Sequence, residues 1–121
     1  MTPSEAKRLI RKHIKRWRYL ATSYGWKFDV YYADNGHVMP KDMDACYAAT
    51  NYKSEYLDAD IWFNLSLCSE LDEKGIEETV IHELTHLVIA PIDFEEEQRK
   101  ELERVVTMVS RLFMGLRNEK R

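Results

Sequence analysis

The apolar residues of this chain change their spacing at Ser69, and that change limits what it can fold into. Before it, Ile61, Phe63, Leu65 and Leu67 alternate with other residues in DIWFNLSL (60–67), the period of a strand with one apolar face. After it, Ile76, Val80, Leu84 and Leu87 recur at helical spacing. Ser69 or Asp72 can cap that helix, Asp72 and Glu73 make its first turn acidic, and the run continues to Ala90, where Pro91 stops it. Both element types therefore belong to one chain, and they follow one another rather than alternate.

The remaining segments extend the pattern. Ser4 is a candidate N-cap, and Ala6, Ile10, His13 or Ile14, Trp17 and Ala21 predict a first helix from about Ser4 to Tyr24, ended by Gly25. WKFDVYYAD (26–34) reads as a strand closed by the Asn35-Gly36 turn signal, and MDACYAATNY (43–52) as a weaker strand. A last helix begins between Asp93 and Glu97 and carries Leu102, Val105, Val106, Val109, Leu112 and Phe113 on its apolar side as far as Gly115. The order is helix, three strands, helix, helix. With 121 residues there is room for one domain with a real core but not for two, so the expectation is a single α+β domain over 1–121 with a small twisted sheet of three or four strands.

Charge is distributed unevenly. Residues 1–27 carry eight Lys/Arg against Glu5, a balance of +7, so a net charge of −3 leaves −10 on the rest. The plain reading is a basic, solvated helix face packed on an acidic domain, and nucleic-acid contact by this helix ranks below it. The N-terminus lacks a signal-peptide apolar run and no stretch has membrane-spanning length, which predicts a cytoplasmic protein without a membrane partner. In that compartment Cys46 and Cys68 are expected to be reduced and buried rather than bridged. A monomer or weak homo-oligomer is expected.

The helix after Ser69 holds the sequence His82-Glu83-Leu84-Thr85-His86. Residues four apart on an α-helix project the same way, so His82 and His86 can both place a ring nitrogen about 2 Å from one zinc ion. Glu83, rotated by about 100°, reaches a metal-bound water instead of the metal and can serve as general base. Gly75, Thr79, His82 and His86 form a stripe of small and polar residues separate from the bulky stripe, as a helix lining a cleft would have.

A catalytic zinc takes a third protein ligand. His13 has a basic surround and His37 is isolated after a turn, so a carboxylate of the final helix is the better candidate. Glu95, Glu96 and Glu97 suit the exposed start of that helix, where its dipole favours negative charge. Glu101 and Glu103 flank the apolar stripe from opposite sides, and periodicity does not choose between them.

This HExxH sequence followed by a glutamate on the next helix resembles the gluzincin zinc metallopeptidases, above all their small single-domain forms, the minigluzincins and the ImmA/IrrE-type domains often found in phages and prophages. The likeness covers about residues 27–114 in architecture and is specific only in the motif helix. It implies a zincin-like fold, a Zn2+ cofactor and a peptide or protein substrate. It also implies that Glu103, followed by Val106 and Thr107, is the third ligand, with Glu101 second; neither matches the fuller family patterns with Asp or Asn. By the same resemblance the strand before the motif helix, Asp60 to Leu67, would form the upper rim of the cleft and bind an extended peptide by strand addition. His37, Tyr47, Tyr52 and Tyr56 are candidates for stabilising the oxyanion. The function expected is zinc-dependent peptide hydrolysis with Glu83 as base. The alternative is a zinc-bearing regulatory or interaction domain with little or no proteolysis.

Overall fold

The structure is a computed structural model that describes residues 1–33, 46–53, 56–89 and 99–119. The turn at Asn35-Gly36, His37, Pro91 and Glu95 to Glu97 lie outside the described residues.

The first helix, α1 (Pro3–Trp17), is capped by Thr2 and not by Ser4. The Thr2 hydroxyl accepts the Glu5 amide at 3.1 Å and donates to the Glu5 carboxylate at 3.2 Å. Pro3, which has no N–H to leave unsatisfied, fits the first helical position. Ala6, Leu9, Ile10, His13 and Trp17 form the buried side. A single helical turn, α2 (Tyr19–Thr22), continues beyond Arg18 and buries Leu20 and Ala21. Gly25 then reverses the chain at φ 90°, a conformation that a residue with a Cβ rarely holds.

Strands β1 (Lys27–Ala33), β2 (Ala48–Lys53) and β3 (Asp58–Asn64) form one mixed sheet in the order β1-β3-β2. The central strand β3 runs parallel to β1, with Val30 opposite Ile61 and Tyr32 opposite Phe63, and antiparallel to β2, with Thr50 opposite Ile61. Period 2 puts Ala59, Ile61 and Phe63 on the inner face, where all three are buried. On the other face Tyr31 and Trp62 stack at 4.6 Å.

The alternating pattern predicts a strand as far as Leu67, but β3 ends at Asn64. The Asn64 side chain accepts the Leu67 amide at 3.3 Å and caps a one-turn helix, α3 (Leu65–Cys68), so Leu65 is buried from a helix and not from the sheet.

Helix α4 (Glu73–Ile89) is the hub of the fold. Asp72 caps it, accepting the Gly75 amide at 2.8 Å. Ile76, Val80, Ile81, Leu84 and Leu87 are fully buried in the core shared with α1 and the sheet. A second side of α4 receives α1 through polar contacts. Lys12 Nζ donates to Glu73 at 2.7 Å, His13 lies 3.3 Å from Glu73 and 3.2 Å from Glu77, and Trp17 Nε1 donates to the buried Glu77 carboxylate at 2.8 Å. The basic helix thus packs on acidic residues of the domain. The last helix, α5 (Arg99–Glu119), continues past Gly115, where an added Cβ would meet nothing within 4 Å. Among the described residues no helix is long and apolar enough to cross a membrane.

Candidate metal centre and cleft

The helical period that buries Leu84 and Leu87 turns Gly75, Thr79, His82 and His86 to the opposite side of α4. There they line a cleft of about 730 Å³, closed on one flank by Tyr47 to Thr50 of the sheet edge and on the other by α5.

Glu103 of α5 faces the two histidines. Its Oε2 lies 3.1 Å from His82 Nε2 and its Oε1 3.1 Å from His86 Nε2. One ligand atom from each of the three residues falls within 4.8 Å of the others. Two imidazole nitrogens and a carboxylate that converge on one point at a cleft wall are a donor set that zinc accepts, with a side left open to the cleft. His86 fits the role of neutral ligand, because burial pushes its pKa down; Glu103 opposes that shift and His82 adds to it. Glu101 is turned away, its carboxylate held by Arg104 at 2.7 Å in the exposed part of α5.

What aims Glu103 is a buried contact deeper in the helix pair. The Ser110 hydroxyl donates to the Val106 carbonyl at 2.7 Å and lies 3.3 Å from the Thr85 hydroxyl, which itself donates to Ile81 O. With Val106 fully buried beside them, these contacts fix the rotation of α5 against α4. Thr107, one turn beyond Glu103, lines the cleft.

Glu83 leaves the histidine stripe and turns towards the sheet. It is 5% exposed and accepts a hydrogen bond from Thr50 Oγ1 at 2.9 Å. Burial raises its pKa to about 7; the Thr50 bond lowers it and the Glu103 charge raises it further. A carboxyl poised near neutrality beside a donor set can accept and return a proton.

The strand at the cleft is β2, not the Asp60–Leu67 segment. The expected rim strand, β3, has both edges occupied by β1 and β2, so it has no free edge for an extended peptide. Among the described residues β2 stands at the edge of the sheet and lines the cleft.

Of the candidate oxyanion residues, Tyr47 lines the cleft. Tyr52 packs edge-on against Trp26, and Tyr56 is 71% exposed. His13 is buried on the α1 side of α4. Cys68 is buried and its thiol pushed up to about 12, chiefly by burial, with its S–H on Tyr47 O; Cys46, expected to be buried, is exposed on the cleft. Sequence reasoning did not single out Thr50 or Ser110, because each acquires its place through a contact distant in the chain.

No family model matches this chain, and comparison with curated proteins and with solved structures finds no match to either.

Proposed function

We propose that the protein is a zinc-dependent peptide hydrolase on a zincin-like plan, as its resemblance to the gluzincins implies. The observation that carries this reading is the convergence of His82, His86 and Glu103 on a cleft that also holds the buried Glu83 and a sheet-edge strand.

The three residues would hold the ion. When bound, zinc supplies a Lewis acid that polarises the scissile carbonyl and makes a water acidic enough to lose its proton near neutral pH. Glu83 would take a proton from the attacking water and return it to the leaving amine, and Thr50 holds its carboxylate by a hydrogen bond. An extended substrate pairs its backbone with the outer edge of β2, which fixes the scissile bond against α4.

The test is a peptide library offered to the zinc-loaded protein with and without chelator, alongside the zinc content of Glu83→Gln. Cleavage that chelation abolishes, and that Glu83→Gln lacks while retaining one zinc per chain, is the expected result. Hydrolysis by Glu83→Gln, or none by the zinc-loaded wild type, refutes the proposal; in the latter case the zinc-bearing regulatory domain takes its place.

A further inference from the structure

Helix α1 is docked on one side only. Ala6, Leu9, Ile10, His13 and Trp17 are buried, and Lys12, at the border of that side, donates to Glu73. At about 100° per residue, Lys7, Arg8, Arg11, Lys12, Lys15, Arg16 and Arg18 fan over the opposite half of the circumference, and all seven are exposed. Glu5 is the one acidic residue of this helix, and Thr2 engages it.

Folding does not account for this face. Lys7 and Arg11, Arg8 and Lys12, Arg11 and Lys15, and Lys12 and Arg16 place like charges four residues apart, where they repel. The helix dipole favours Lys15 and Arg16 in the last turn but does nothing for Arg8 and Arg11. Lys7 and Arg18 rest over the rings of Tyr32 and Phe28, at 5.0 and 5.9 Å. Arg8, Arg11, Lys15 and Arg16 form no hydrogen bond or ion pair with any described residue.

The composition of the face separates the partners that could answer it. Protein interfaces have a core depleted of charge and anchored by aromatic residues, whereas every exposed position from Lys7 to Arg18 is a cation. A helix that binds a membrane surface inserts its apolar side, and that side of α1 is in the core. Nucleic-acid interfaces are the strongly positive ones. Single strands are held in grooves with rings for the bases to stack on; this face is convex, and the exposed ring of Tyr19 lies beyond its end, stacked on Trp17. An α-helix does fit the major groove of B-form DNA, about 12 Å wide, with phosphates along both rims, whereas that of A-form RNA is too narrow. Cations spread over half of α1 reach both rims, and the distance of about 12 Å from Arg8 to Arg16 spans about seven phosphates.

We propose that the outer face of α1 binds double-stranded DNA through its phosphate backbone, without sequence preference, with Arg8, Arg11, Lys15 and Arg16 as the contacts. The remaining residues of the chain sum to −10, but at physiological salt charges more than about 8 Å from the contact are largely screened, so the face and not the net charge decides binding.

The test is fluorescence anisotropy of labelled duplex DNA of two unrelated sequences with the full chain, with zinc and with chelator, across a salt series. Four phosphate contacts give a slope of log affinity against log salt of about −3.6, a loss on the order of a hundredfold between about 50 and about 200 mM, the same for both sequences. Arg8→Gln, Arg11→Gln and Lys15→Gln should each lower the steepness by about 0.9, and together leave about −0.9. Gln keeps the helix propensity of Arg and Lys and removes repulsion, so the Tm of the triple variant should not fall. Arg104→Gln, which takes one cation from α5, should leave the slope as it was. No duplex binding at about 50 mM salt, a slope that the triple variant retains, or tighter binding to single-stranded DNA, to an RNA duplex or to phosphatidylserine vesicles overturns the inference. Should the triple variant unfold, the slopes of the three single variants decide. None of these results bears on the hydrolase reading, since binding is expected with and without zinc.

Discussion

Glu83→Gln exchanges a carboxyl for an amide of nearly the same shape at a position only 5% exposed, where Thr50 can go on donating to the side-chain oxygen. Ionisation is what the substitution removes. The carboxyl titrates at about 7 in the fold against an ordinary 4.5, chiefly because it is buried. At about 1.4 kcal/mol per pH unit, its charged form is about 3 kcal/mol less favourable in the folded than in the unfolded chain. Below pH 4.5 the group is protonated in both states and costs nothing. Between 4.5 and 7 the unfolded chain ionises first, and above 7 the whole penalty is present. Metal-free wild type should therefore fall behind Glu83→Gln as pH rises, by about 3 kcal/mol at pH 8, a difference on the order of 10 °C in Tm for a domain of this size. Urea or thermal unfolding of both proteins in chelator at pH 5, 6, 7 and 8 measures the gap, and taking the difference cancels the groups the two share. Saturating zinc should narrow it, since a cation beside the carboxylate favours its charged form. A gap that stays flat across this range, or a Gln variant less stable at pH 8, would refute the reasoning.

Thr50→Val removes the donor that opposes the burial of Glu83, so the acid limb of the pH-rate profile should move upward and kcat/KM fall by about tenfold with zinc content unchanged. Glu103→Ala should lower zinc affinity at least tenfold by competitive chelator titration while Glu101→Ala leaves it as it was, because Glu103 meets the histidines and Glu101 is held by Arg104. Gly115→Ala adds a methyl group in open space within α5 and should stabilise the protein by about 0.5–1 kcal/mol in urea unfolding. Trp17→Phe strips the buried Glu77 carboxylate of its indole donor and should cost about 2 kcal/mol by the same measurement.

The order of elements was legible because period and capping are local properties. The alternation of Ile61 and Phe63 and the stripe from Gly75 to His86 both survive in the fold, and the stripe does line a cleft. Ends were read less well where a short side chain competes with the pattern. Asn64 turns its own amide oxygen to the backbone three residues on and stops a strand whose apolar alternation continues. Gly115, by contrast, has the residue type of a helix end but none of the surrounding geometry, and α5 passes through it. Strand order was the larger gap. Nothing local says that β3 inserts between β1 and β2, yet that insertion decides which strand has an edge to offer the cleft.

The same distinction explains why α4 was read with two faces when it has three. Its apolar stripe and its histidine stripe are periodic and visible, but Glu77 has no periodic partner to mark it as buried. The groups that satisfy it, Trp17 and His13, come from a helix about sixty residues earlier. A carboxylate in such a place is tolerable only when donors reach it, so the polar docking of α1 is a condition for α4 to sit where it does. Once that face is occupied and the apolar face is in the core, the stripe from Gly75 to His86 is the part of α4 left to face the cleft. The position of the candidate metal centre therefore depends on contacts on the far side of the helix. It also follows that damage to the α1 dock, as in Trp17→Phe, should weaken zinc binding through the fold without touching a ligand.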